Sequence, residues 1–287
     1  GFFYLTGHGL KPALVDRVWR QTRTFFDLPR ADKCAVMRTK ANPRGYYDRE
    51  LTKNKRDCKE VFDFGRNTVT TIDGKNQWPV KLPDFGDTMY EWLEGCERIA
   101  FDLLNILCVG LGIDGRTLGI HFAGAHTSFA RLNHYPLGDP FRPMDSVEAT
   151  ALGDQALHEH TDAGALTILL QDEVGGLQVK AGNTWHDIVP IPDSLVVNIG
   201  DMMQVWSNDQ FIAATHRVRP VTTRSRYSIP FFFNPTYDTN YAPLPTLTAL
   251  PARYHSINWG EFRQTRADGD YEDYGKEIQI SDFRVRS

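Results

Sequence analysis

The chain has 287 residues, of which 41% are apolar and 24% charged, with a formal net charge of −4. These are the proportions of an ordinary soluble globule able to bury a sizeable core, and they provide no broad basic field for nucleic acid or an acidic membrane surface. No uninterrupted apolar run is long enough to span a bilayer; Cys34, Cys58, Cys96 and Cys108 lack paired short spacing and read as free thiols in a reducing compartment, the cytoplasm.

The chain opens on an apolar strand, Phe2 to Tyr4, without the basic flank and cleavage-like end of a signal peptide. It has no initiator methionine, so further residues are expected before Gly1. Leu14, Val18 and Phe25, with Val15, Trp19 and Phe26, recur at helical spacing behind Pro12, an N1-type proline. Pro29 ends that helix, and a short one follows. From Gly45 to Gly65 the reading is irregular, with Phe62-Asp63-Phe64 as a strand. Lys53-Asn54-Lys55-Arg56 is the only compact basic run and reads as a solvated loop.

Thr88 with Glu91 has the spacing of a capping box. Met89, Trp92, Cys96, Ile99, Leu103 and Leu107 behind it form one apolar stripe, the best helix in the sequence. It runs into Gly110-Leu111-Gly112-Ile113-Asp114-Gly115, which matches a dinucleotide-binding fingerprint in letters only. That fingerprint leaves a strand and opens a helix, whereas here glycine closes one.

From Thr127 the apolar period becomes two. Strands are expected over Thr127–Tyr135, Leu166–Leu170, Leu177–Val179, Thr184–Ile188, Leu195–Ile199, Ala213–Val218 and Arg226–Phe233. Short strands separated by glycine- and proline-rich turns indicate a sandwich or barrel, and a jelly roll has eight strands in two sheets. After Pro235 a proline-rich connection leads to a polar terminal helix beginning near Trp259. The expected fold is mainly β with flanking helices (α+β), one domain with a double-stranded β-helix or jelly-roll core. Residues 1–125 form a helical support, 126–235 the core and 236–287 a C-terminal cover.

The chemistry-bearing residues concentrate in that core. His160 and Asp162 are two apart at a strand end and point the same way, and His216 comes back much later, as closed β-structure allows. Two imidazoles and one carboxylate form a facial triad that holds Fe(II) with open positions, although zinc could also bind. His158 makes a His-x-His with His160, but the Glu that such a cupin pattern wants is absent, Glu173 being too distant. Arg226 and Ser228 share one strand face and make a fork-plus-hydroxyl site for a carboxylate. Asn133 and Tyr135 share another face. Phe232 falls on the Arg226 face and is placed to stack on a planar substrate, provided Pro230 does not introduce a bulge.

His160-x-Asp162, His216 and Arg226-x-Ser228 together resemble the signature of the iron(II)/2-oxoglutarate-dependent dioxygenases, in the branch that includes isopenicillin N synthase and plant flavonoid and gibberellin oxygenases. Gly1-Phe2-Phe3-Tyr4 through Gly7-His8-Gly9, Asn133-His134-Tyr135-Pro136, Asn198-Ile199-Gly200-Asp201 and Ile257-Asn258-Trp259 extend the resemblance over nearly the whole chain. It implies that His160, Asp162 and His216 bind Fe(II), and that Arg226, Ser228, Tyr135 and Asn133 hold 2-oxoglutarate. His134 stands where the family often has a further tyrosine. The resemblance also places Tyr46, Tyr47 and Phe64 near the substrate mouth. The implied reaction consumes O₂, with ascorbate as a reductant, and releases succinate and CO₂ while a small organic molecule is hydroxylated, desaturated or cyclised. Within the fold the alternative is an isopenicillin N synthase-like oxidase that uses no 2-oxoglutarate. From another class, the alternatives are a non-catalytic 2-oxoglutarate sensor or a zinc hydrolase. The expected partner is a small-molecule substrate, with no nucleic acid and no membrane. Neither the substrate nor an oligomeric state is specified.

Overall fold

A computed structural model describes residues 1–52, 55–138, 155–247, 251–269 and 278–286. Strand β1 (Phe2–Thr6) leads into helices α1 (Pro12–Phe26) and α2 (Arg30–Cys34), then β2 (Gly45–Tyr47), β3 (Leu51–Thr52), β4 (Lys55–Arg56), β5 (Glu60–Gly65) and the long helix α3 (Phe85–Gly110). The core strands follow: β6 (Phe129–Tyr135), β7 (Leu157–His160), β8 (Leu166–Gln171), β9 (Leu177–Ala181), β10 (Thr184–Asp187) and β11 (Ser194–Ile199). After the short helix α4 (Asp201–Trp206) come β12 (His216–Val218), β13 (Arg226–Phe233), β14 (Asn240–Tyr241), β15 (Ile257–Asn258) and α5 (Trp259–Gly269).

The eight strands β6 to β13 divide into two antiparallel sheets, with β11, β8, β13 and β6 adjacent in one and β10, β9, β12 and β7 forming the other. This is the jelly roll expected from the strand spacing. β1 pairs with β11 at one edge of the larger sheet, and β5 and β2 extend it beyond β6. The outer face of that sheet is covered by α1 and α3, whose buried side chains Val18, Phe25, Met89, Trp92 and Cys96 join Phe62, Ile168 and Phe231 in the main core. Between the sheets lies a smaller apolar cluster that includes Leu169, Leu177, Val196 and Val218. The site is built in this inter-sheet space.

Three local expectations change. In the stretch read as irregular, the strand expected at Phe62-Asp63-Phe64 is present as part of β5, and β2 is a further, unexpected strand of the large sheet. All six residues of β5 are buried, because α-helix covers one face and the inter-sheet space the other, so no alternation is visible in the sequence. Second, α3 begins at Phe85, one turn before the expected capping box. The Thr88 hydroxyl donates to the Asp84 carbonyl inside the first turn, and Glu91 pairs with Arg17 of α1, so neither side chain caps. Third, the basic run is not simply a solvated loop: Arg56 is buried, while Lys53 and Asn54 lie outside the described residues.

The glycine fingerprint closes α3 as expected. Gly112 has φ +75° and donates to the Val109 carbonyl, and Ile113 donates to Cys108, which is a Schellman motif. All four cysteines are free. Among the described residues no helix is long and apolar enough to cross a membrane.

Candidate active site

The end of β7, the turn after it and the start of β12 bring His160, Asp162 and His216 together. Their ligand atoms all lie within 4.8 Å of one another. Asp162 Oδ1 is 3.6 Å from His160 Nε2 and 3.7 Å from His216 Nε2. Two metal–ligand bonds of about 2.1 Å reach across as much as about 4.2 Å, so the carboxylate oxygen can share one ion with either imidazole. β7 and β12 are paired with His160 opposite His216, which sets the two rings 4.3 Å apart.

Each imidazole is fixed in the tautomer that a metal requires. Nδ1–H of His160 donates to the His158 carbonyl at 2.8 Å, and that of His216 to the Ala214 carbonyl at 3.2 Å. Both Nε2 lone pairs therefore face Asp162. Burial, then the neighbouring His160, pushes His216 down to about 4 against the pull of Asp162, so its ring is neutral at physiological pH. Burial opposes ionisation of Asp162, but His216, His160 and the hydrogen bond from Thr167 outweigh it and hold the carboxyl well below the usual range.

Asp162 is also oriented through its other oxygen. Oδ2 accepts from Thr167 Oγ1 at 2.5 Å and from Asn198 Nδ2 at 2.8 Å, which leaves Oδ1 turned to the imidazoles. The turn carrying it is laced to the segment before α4, with Gly200 N donating to the Ala165 carbonyl and Asp201 N to the Asp162 carbonyl. This approach needs glycine at two places. A Cβ on Gly200 would lie 2.1 Å from the Gly164 carbonyl oxygen, and one on Gly164 would meet the Phe233 carbonyl oxygen at 2.9 Å.

A cavity of about 170 Å³ extends from the triad along the inner face of the large sheet. Arg226 and Ser228 of β13 line it opposite their register partners Tyr135 and Asn133 of β6, as the period-two reading required. Arg226 is only 1% exposed, yet it forms no ion pair among the described residues. Nη1 donates to Ser228 Oγ at 3.2 Å, Nε has no partner, and the guanidinium lies 4.9 Å from the Tyr135 ring centroid. Nearby Asp172 feels its charge, but the carboxylate oxygens accept from the backbone of Tyr227 and Val174. Asn133 donates to Ser228 Oγ and keeps a buried Oδ1 without a partner. A buried cation left uncompensated in this way is costly unless an anion arrives.

Phe232 also lines the cavity. The pairing of β13 with β8 runs unbroken through Pro230, so no bulge intervenes and Phe232 shares the Arg226 face. Its ring packs 4.8 Å from that of Phe129. Phe129 and Arg131 went unassigned in the sequence, though period two puts them on the face of Asn133 and Tyr135.

Tyr46, Tyr47 and Phe64 do not line the cavity. Tyr46 and Phe64 point from β2 and β5 into the helical side of the sheet, where Tyr46 donates to Glu60 and Phe64 packs on Phe62 and Trp78. Tyr47 lies under the Arg38 guanidinium, 4.2 Å away. From this N-terminal region the wall residues are instead Glu50, Leu51 and Lys59. Glu50 is buried among Arg38, Lys59 and Arg131, at 3.0, 2.9 and 2.6 Å, pairings that no local pattern reveals.

Known proteins resemble this chain in sequence and fold. The model of the 2OG-Fe(II) oxygenase superfamily matches residues 127–235, and that of the non-haem dioxygenase in morphine synthesis N-terminal region matches residues 1–81. The chain is 30% identical to a 1-aminocyclopropane-1-carboxylate oxidase of Musa acuminata, over 95% of this chain and 86% of that protein. It is similar to the crystal structure of a full-length Neurospora crassa protein in complex with alpha-KG and thymine, with a TM-score of 0.80 and 30% identity over 94% of this chain and 87% of that one. JOX2 in complex with 2OG, Fe and JA superimposes with a TM-score of 0.78 at 28% identity, over 92% of this chain and 76% of that one. The chain belongs to the 2-oxoglutarate- and iron(II)-dependent oxygenase superfamily, and is an oxidoreductase that uses Fe(II), 2-oxoglutarate and dioxygen.

Proposed function

We propose that His160, Asp162 and His216 hold Fe(II), that Arg226 and Ser228, with Tyr135 and Asn133, hold 2-oxoglutarate, and that a small, partly apolar molecule is oxidised in the space next to Phe232. The observation that carries this reading is the buried Arg226, without an ion-pair partner among the described residues, in the same cavity as the triad. Charge supports it: a dication with Asp162 and Arg226 leaves two positive charges, which the two carboxylates of 2-oxoglutarate balance. Bound iron supplies dioxygen activation at the expense of the keto acid, giving succinate, CO₂ and a hydroxylated, desaturated or cyclised product.

The chain's own residues provide placement and dryness. The guanidinium of Arg226 offers a planar fork to a carboxylate, and the Ser228 and Tyr135 hydroxyls add donors. Asn133 steadies Ser228 through its amide. Leu157, Leu169, Leu177 and Val218 line the same cavity and exclude water from the reacting atoms. Phe129 and Phe232 offer an aromatic edge to substrate. In this reading residues 126–235 carry the chemistry, 1–125 support the sheet and 236–287 cover the site. The four free thiols fit a cytoplasmic setting.

Succinate release tests the reading. With Fe(II) and a competent substrate it should require added 2-oxoglutarate and fall steeply in Arg226→Gln. Substrate oxidation without 2-oxoglutarate would favour the oxidase that uses no keto acid.

A further inference from the structure

The C-terminal helix α5 reaches the turn that carries Asp162. Trp259 at its start is fully buried and donates from Nε1 to Thr127 Oγ1 at 2.9 Å, and Phe262 is buried beside it. One turn further on, Arg266 is 8% exposed and contacts both the turn and its support. Nη1 donates to Asp201 Oδ2 at 3.0 Å, and Nη2 donates to the Thr161 backbone carbonyl at 3.1 Å. Asp201 is 1% exposed, and its backbone N–H donates to the Asp162 carbonyl at 2.7 Å. Thr161 stands between His160 and Asp162. One guanidinium thus clamps the turn both directly, at the Thr161 carbonyl, and through Asp201, whose backbone N–H holds the Asp162 carbonyl.

We propose that Arg266 is a positioning residue for the metal centre, fixing the His160–Asp162 turn through Asp201 and the Thr161 carbonyl, so that metal retention depends on the docking of α5. The inference rests on the assignment of His160, Asp162 and His216 as ligands. Arg266 supplies no ligand atom. Its effect is to narrow the positions that Asp162 can take before metal arrives. Groups that orient ligands in this way typically contribute about 10- to 100-fold in metal affinity. Removing Arg266 takes the cation from a buried Asp201 carboxylate, and removing the Asp201 charge deprives a buried guanidinium of that carboxylate, so either change breaks the same unit.

The test is titration of the metal-free full chain with Mn(II), without 2-oxoglutarate, alongside thermal melting. Arg266→Gln and Asp201→Asn should each weaken binding about 10- to 100-fold, and the double variant should bind no more weakly than the worse single one, as expected of one coupled unit. Arg266→Lys, which keeps the charge, should recover part of the loss. Wild-type affinity in folded Arg266→Gln overturns the proposal, as does a lowered melting temperature with unchanged affinity of the folded protein. If Arg266→Gln does not fold, wild-type affinity in both Asp201→Asn and Arg266→Lys overturns it. His216→Ala separates this inference from the assignment beneath it. Should that variant bind metal normally, the ligand assignment itself is wrong; should it lose metal while the Arg266 variants keep it, only the role of Arg266 falls.

Discussion

Thr167 of β8 and Asn198 of β11 are register partners on neighbouring strands, and both donate to Oδ2 of Asp162, at 2.5 and 2.8 Å. The large sheet thereby aims a carboxylate at two imidazoles carried by the small one. Strand pairing thus orients the carboxylate, while the turn that carries Asp162 fixes its backbone.

Removing either donor should therefore loosen the metal without unfolding the sheet. Thr167→Val keeps the volume and deletes the hydroxyl; Asn198→Ala deletes the amide. Each should weaken Mn(II) binding by about 10- to 100-fold, as is usual for partners of a ligand. Isothermal titration of the metal-free protein measures this, and unaltered affinity in both variants would show that Oδ2 needs no orientation.

Arg226 should matter for the cosubstrate and much less for the metal. Truncation to Gln removes a buried charge partner, which typically costs about 2 to 5 kcal/mol, or about thirty- to several-thousand-fold in affinity. Binding of 2-oxoglutarate to the Mn(II)-loaded chain reads it out. Arg226→Lys should not restore affinity fully, because an ammonium lacks the planar fork.

The metal-free protein should lose stability as the solution becomes mildly acidic. His216 titrates at about 4 in the folded chain, below the roughly 6.5 of an exposed imidazole. Between those values the unfolded state binds a proton that the folded state refuses, so stability rises with pH there and is lost as pH falls from about 6.5 toward 4. The contribution is about 3 kcal/mol. Urea denaturation across this window should show a shallower pH dependence for His216→Asn than for the unaltered chain; equal slopes would remove His216 as the source.

Gly200→Ala should be disruptive for steric reasons alone. Its φ of −97° suits alanine, but the added Cβ would sit 2.1 Å from the Gly164 carbonyl oxygen and 3.1 Å from that of Asp162. Forcing the strand and turn apart should cost about 1 to 3 kcal/mol and weaken metal binding together with stability. Denaturation and metal titration of the same preparation check both.

Much of the site is legible in the sequence because it sits on strands. A period of two identifies the shared faces of Arg226 with Ser228 and of Asn133 with Tyr135, and the structure makes these four residues cross-strand partners. The same rule reaches Phe232 through Pro230. What is hidden depends on contacts distant in the chain. β5 is buried on both faces and shows no alternation, so Tyr46 and Phe64 belong to the core and the wall passes to Glu50 and Lys59. Arg266 meets Asp201 across 65 residues, and nothing near either one signals the pair.

In the proposed reading, three side chains sharing one ion, beside an anion clamp, are at the centre of the molecule's chemistry. The most direct measurement is succinate formed from 2-oxoglutarate by the purified chain with Fe(II), ascorbate, air and a competent substrate, compared with His160→Ala, Asp162→Ala and His216→Ala. The account predicts turnover in the unaltered chain and its loss in all three variants, with each variant still folded. Undiminished succinate formation in any one of them would contradict it.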